Sequence, residues 1–195
     1  METSDKLLQA FQKFDAANSL DPNTTEYLGE SYPKEVLYAI RMTERLNNFA
    51  PDASEALRLT ARCQHICRWE IPRDSYKMNR TGYLKWRQDL KKFHARKAAE
   101  ILQNVGYSQE IIDEVGFLLQ KKGLKRNEDT QILEDVICLV FLEYYFESFA
   151  DEHSEEKIID ILQKTWRKMS GKGHEAAMKL PFSKKSSTLI AKAVS

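Results

Sequence analysis

Apolar residues recur along this chain at intervals of three and four, and alternating apolar and polar segments are almost absent, so the pattern predicts helices throughout. The first run sets Leu7, Leu8, Phe11 and Phe14 on one face behind Ser4 as N-cap, and Asp21-Pro22-Asn23 breaks it. A second begins at Pro33, a residue favoured in a first turn, and carries Val36, Leu37, Ile40 and Leu46 as far as Phe49. The turn Pro51-Asp52-Ala53-Ser54 opens a third helix that reaches Trp69. After a loop over 72–81 comes a long helix over 82–105, closed by Gly106, then a shorter one capped by Ser108 and ending at Gly123. The most apolar helix covers 131–150. A further helix runs through Met169 and is ended by Gly171 and Gly173, and a basic tail with a short helix finishes the chain.

These elements predict an all-α fold, a single compact helical domain over 1–180 with the tail at 181–195. A length of 195 residues suits one domain with a sizeable core. The net charge of +1 removes the case for long-range attraction to nucleic acid or a membrane, so any anion site must be local. No apolar run is long enough to span a bilayer, and no signal peptide is expected at the N-terminus. Three Cys without a secretory signal imply reduced thiols, hence a cytoplasmic or nuclear protein. Cys63, Cys67 and Cys138 fall on inward stripes, where buried small hydrophobes are favoured over a zinc site.

The densest chemistry lies in 62–87, RCQHICRWEIPRDSYKMNRTGYLKWR. Arg68, Arg73, Arg80 and Arg87 flank a loop anchored by Pro72 and Gly82, and guanidinium forks suit phosphate or carboxylate. Trp69, Tyr76, Tyr83 and Trp86 either stack a ligand's ring or pack the loop. Lys121 and Lys122, just before Gly123, read first as charges at a helix C-terminus, within reach of a neighbouring pocket.

Three further groups stand out. Projected at about 100° per residue, the long helix puts Tyr83, Arg87, Leu90, His94, Ala98, Ile101 and Val105 on one stripe, with His94 facing inward. The most apolar helix aligns Asp135 with Cys138, Leu139, Leu142, Phe146 and Phe149, where a carboxylate must pair, shift its pKa or bind a cation. His65 lies opposite the apolar stripe of its helix, among Arg58, Arg62, Arg68 and Trp69, on a solvated basic face or the wall of a polar pocket.

The blocks Gln64-His65-Ile66-Cys67-Arg68-Trp69-Glu70-Ile71-Pro72-Arg73 and Gly82-Tyr83-Leu84-Lys85-Trp86-Arg87 resemble a widespread family of unknown function, sometimes labelled glutamyl-tRNA-synthetase-like. Leu133-Glu134-Asp135-Val136 and 164–170, KTWRKMS, look like its later blocks, and the resemblance covers about 33–180. The chain is too short and helical for the nucleotide-binding α/β unit of a synthetase. More remotely, the order of parts resembles the histidine–aspartate phosphohydrolase superfamily, which implies a helix bundle with His65, His94 and Asp135 as ligands of one divalent metal ion. The chain departs from that pattern at Ile66, where the superfamily has its doublet Asp, and at Glu35, the nearest candidate for its first His.

Three functions follow as expectations. The first is a metal-dependent hydrolase acting on a phosphorylated or otherwise anionic small molecule. There His65, His94 and Asp135 hold the ion or a catalytic water, and Arg68, Arg73 and Arg87, with Trp69, Tyr83 and Trp86, hold the substrate. The second is a non-catalytic binding or regulatory module for a nucleotide or anionic metabolite. The third, RNA binding through the Arg-aromatic loop and basic tail, is opposed by the near-zero net charge.

Overall fold

The computed structural model describes residues 5–194, and the expected N-cap Ser4 lies outside them. The fold is all-α, apart from one small hairpin. Helix α1 (Asp5–Asn18) leads to strands β1 (Thr24–Tyr27) and β2 (Glu30–Pro33), then α2 (Lys34–Phe49) and α3 (Glu55–Cys63). The pattern of three and four gives no hint of this hairpin, whose strands are four residues each. Its turn puts Leu28 and Gly29 at φ of 52° and 83°, the left-handed pair a two-residue hairpin loop requires.

Helix α3 is the axis of the core. Ala56, Leu57, Leu59, Thr60, Ala61 and Cys63 are all buried, so it is enclosed nearly all round, and α1, α2, α5 and α6 pack on it. The last two are α5 (Gln109–Leu119) and α6 (Glu128–Tyr144). Between α3 and α5 runs α4 (Arg80–Val105), which lies along α5 and α1. Side-chain caps fix the starts: Ser54 accepts the Leu57 N–H at 3.1 Å, Asn79 that of Gly82 at 2.8 Å, and Asn127 that of Thr130 at 2.8 Å.

Three of the boundaries that differ from expectation bear on the site and its surroundings. Helix α3 stops at Cys63 instead of reaching Trp69, because Cys67 turns left-handed at φ 51° while its N–H is taken by Asn18 Oδ1 at 2.9 Å. The most apolar helix breaks at Tyr145 and resumes as α7 (Phe146–Asp151). Gly171 and Gly173 do not simply terminate α8 (Glu155–Lys168). They open α9 (Gly171–Ala177), capped by the Ser170 hydroxyl, which accepts the Gly173 N–H at 3.0 Å. The tail forms α10 (Lys184–Val194) and docks on α8, burying Leu189, Ile190 and Ala193.

Candidate functional site: a basic groove with a polar recess

The end of α3 delivers His65 into a polar recess opposite the middle of α4. His65 stacks on Tyr38 of α2, ring centroids 4.1 Å apart, and lies 6.0 Å from the His94 ring. Arg68 Nη1, which can only donate, lies 2.9 Å from His65 Nε2 and 3.4 Å from Nδ1. The nearer Nε2 is therefore the acceptor, and Nδ1, 3.5 Å from Glu35 Oε2, carries the proton. His94 is also fixed in tautomer: Nδ1–H donates to the Ile66 carbonyl at 2.8 Å, so Nε2 is the lone-pair side. The carbonyl of residue 66 thus orients His94 whatever side chain stands there, while the Ile66 side chain itself is buried in the core.

The electrostatics are those of a buried, cation-rich site. Burial holds the His94 imidazole down at about 3, and His65, Arg68 and Glu35 act on it more weakly. Burial also holds His65 well below the usual range, with Arg68, Arg87 and Lys121 pushing in the same direction. Glu35 is raised to about 7, chiefly by burial. Both imidazoles are therefore neutral at neutral pH, ready to exchange hydrogen bonds rather than charge.

Lys121 enters from the end of α5 in a left-handed conformation, φ 55°, that glycine would adopt more easily. Its ammonium meets Glu134 of α6 at 2.6 Å, and Lys168 approaches the other Glu134 oxygen at 3.7 Å. Glu134 is 3% exposed. Burial alone would raise its pKa, but Lys121 and Lys168 outweigh that and hold the carboxyl below its ordinary value. The strained backbone at Lys121 thus serves to place a charge where Glu134 needs it.

The recess, of about 20 Å³, is lined by Gln64, His65, Arg68, Arg87, His94 and Lys121, among others. Arg87 and Lys91, one turn apart on α4, belong both to it and to a wider groove of about 570 Å³. Tyr83, Lys92, Lys122 and Lys168 stand in the outer wall with Leu84, Gln88 and Gln120, and among the described residues no carboxylate lines it.

The expected site residues are distributed as follows. His65 and His94 come together, with Arg68 and Arg87 beside them, and Tyr83 lines the groove. Asp135 is absent from both linings. Its Oδ1 accepts the Ser170 N–H at 2.7 Å and its Oδ2 the Ser170 hydroxyl at 2.6 Å, and Gln131 donates to Oδ1 at 3.2 Å. Arg73 donates to the carbonyls of Tyr76, Lys77 and Asn79, stapling the loop. The same Lys77 oxygen lies 2.0 Å from where a Cβ on Gly82 would sit, which explains the glycine. Trp86 is buried, donates to the Ile71 carbonyl at 2.9 Å and carries Arg68 over its face. Trp69 is half-buried against the core.

A divalent ion shared by His65, His94 and Asp135 does not fit this arrangement. The Asp135 oxygens are taken up at the start of α9, and Arg68 occupies the His65 nitrogen a cation would need. Among the described residues no three His, Cys, Asp or Glu side chains are grouped to hold an ion. Glu35, Tyr38, Gln64, Lys91 and Glu134 are the site residues that the sequence argument did not assign. Of these the sequence touched Glu35, as the stand-in for a missing His, and it named Lys121 and Lys122 as charges within reach of a neighbouring pocket.

A family model described as a domain of unknown function, DUF4202, matches residues 8–190, and the chain belongs to that family. No curated protein and no solved structure matches it. Among the described residues no helix is long and apolar enough to cross a membrane.

Proposed function

We propose that this chain binds a phosphorylated or otherwise anionic small molecule in the groove between α4 and the ends of α5 and α8, without using a metal ion. One observation carries the proposal: Arg87, Lys91, Lys92, Lys122 and Lys168 wall a ligand-sized cleft whose lining, among the described residues, holds no carboxylate. Lys168 alone of the five reaches one in an ion pair, with the buried Glu134 behind the wall. The chain as a whole is nearly neutral, so this concentration of one sign is local. Burial, followed by Arg87, pushes the Lys91 ammonium down, and a bound anion would relieve that cost.

The remote resemblance to the histidine–aspartate superfamily supports the same location, through the neighbouring His65 and His94, but not its metal chemistry. A base held at about 3 is also far from the pKa that general-base catalysis at neutral pH favours. Binding or regulation is accordingly preferred to hydrolysis. Three buried free thiols, Cys63, Cys67 and Cys138, support placing that role in the cytoplasm.

Thermal unfolding with inorganic phosphate, glycerol 1-phosphate and ribose 5-phosphate tests the proposal. Tm should rise with ligand concentration, and the doubly substituted Arg87→Ala, Lys91→Ala protein should lose the rise. No rise with any of the three, or an undiminished rise in the double variant, overturns it. A rise abolished by a chelator and restored by a divalent ion would instead favour the metal-dependent hydrolase.

A further inference from the structure

The recess beyond Arg87 and Lys91 differs in kind from the groove outside it. Its volume of about 20 Å³ admits one water-sized group, so a whole phosphate stays in the groove and only a single-oxygen group passes inward. The cations bordering the recess are partly engaged already: Arg68 with His65, and Lys121 with Glu134. Two acceptors are not. Gln64, 6% exposed, has an Oε1 that is buried and without a hydrogen-bond partner. His94, 4% exposed, has its Nδ1 proton committed to Ile66 and presents a bare Nε2.

These groups decide what can enter. A second anionic oxygen brings no proton for either acceptor. An ammonium brings protons but meets Arg68, Arg87, Lys91 and Lys121. A hydroxyl satisfies both sides, donating to His94 or Gln64 while its oxygen accepts from a neighbouring cation. Turning the Gln64 amide over changes only its part: the amide then donates to the hydroxyl oxygen, and His94 still takes the proton.

We infer that the ligand is a hydroxylated phosphate ester, its phosphate held in the groove by Arg87 and Lys91 and one of its hydroxyls seated in the recess against His94 and Gln64. The inference rests on the anion-binding reading above and narrows it to a polyol or sugar phosphate.

Calorimetric titration of matched pairs tests it: glycerol 1-phosphate against n-propyl phosphate, and ribose 5-phosphate against tetrahydrofurfuryl phosphate, which lacks the ring hydroxyls. At least one hydroxylated ester should bind about tenfold tighter than its counterpart or better, since losing the hydroxyl takes away the proton that pairs one buried acceptor and the oxygen that accepts from a neighbouring cation. In Gln64→Met that ratio should shrink by about threefold or more. Equal affinities within both pairs mean that the recess holds solvent only, which overturns this inference and leaves anion binding standing. A ratio unchanged in Gln64→Met also overturns it. If none of the four esters binds, the anion-binding proposal itself fails. Should Gln64→Met not fold, the wild-type pairs decide alone.

Discussion

Asp135 and Ser170 grip each other through both carboxylate oxygens, with the Ser170 N–H at 2.7 Å and its hydroxyl at 2.6 Å. The contact joins α6 to the start of α9, and the missing side chain of Gly173 makes room for it, since a Cβ there would lie 2.5 Å from Oδ1. Asp135 is 1% exposed, so these bonds are shielded from water. Asp135→Asn keeps an acceptor for the Ser170 N–H but sets an amide NH2 against the Ser170 hydroxyl, which must then accept where it had donated, so the charge-assisted bond to Oδ2 is lost. It should lower unfolding free energy by about 2–3 kcal/mol in denaturant titrations. Phosphate-ester affinity, measured well below Tm, should stay within about twofold. A normal unfolding midpoint with lost ligand binding would return Asp135 to the binding site.

The contrast between Asp135 and Glu134 marks what a helical projection can and cannot reveal. Periodicity correctly put an acid on a buried face of α6, and both residues are in fact buried. Which acid pairs with Lys121 and which with Ser170 depends on where those two residues arrive from other elements, and no pattern within α6 contains that. His94 was legible because a polar residue in the middle of an apolar stripe on a long helix is unambiguous. The same reasoning gave the helices but not the hairpin, whose register rests on two residues at positive φ, one of them Leu28, with no turn preference to announce it. Gly171 and Gly173 misled for a related reason: glycine at a helix end and glycine making room at a helix start look alike in sequence.

Lys121 and Glu134 form a pair whose partners are unequal in exposure to alternatives. Glu134 is buried, and if Lys121 is removed it keeps Lys168 at 3.7 Å and the weaker pull of Arg87. Lys121→Met should therefore destabilise by about 3–5 kcal/mol, the usual consequence of leaving one buried charge unmatched. Lys168→Ala, which removes a half-exposed side chain, should cost under about 1 kcal/mol. Equal effects in urea unfolding would mean that the two lysines share the carboxylate evenly.

Arg73 and Arg87 looked interchangeable as anion ligands in the sequence, and the structure separates them. Arg73 spends its guanidinium on three backbone carbonyls of its own loop, whereas Arg87 borders both groove and recess. Arg73→Ala should lower stability by about 1–2 kcal/mol and keep the ligand-induced rise in Tm. Arg87→Ala should do the reverse, changing the apo midpoint little and weakening inorganic phosphate and its esters alike. A shared phenotype, measured by fluorimetry on both variants, would contradict this division.

Glu35 makes the site sensitive to pH in a direction opposite to that of its histidines. Burial lifts its carboxyl from 4.5 to about 7 against the opposing pull of Arg68, with Asp21 adding to the rise. The unfolded chain releases this proton near 4.5 and the folded chain near 7, so between those values the folded state holds more protons. The contribution of Glu35 to stability therefore falls as pH rises through that window, by at most about 3 kcal/mol. His65 and His94, both lowered, act the other way: their unfolded forms take up protons below 6.5 while the folded forms stay neutral, so their share is lost as pH falls. The whole-protein profile mixes the two, but Glu35→Gln isolates one. That variant cannot ionise, so it should match wild type near about pH 5 and exceed it near about pH 8. Urea unfolding of both proteins at the two pH values measures the gap, and a gap that does not widen with pH would mean that Glu35 ionises as freely in the fold as in the open chain.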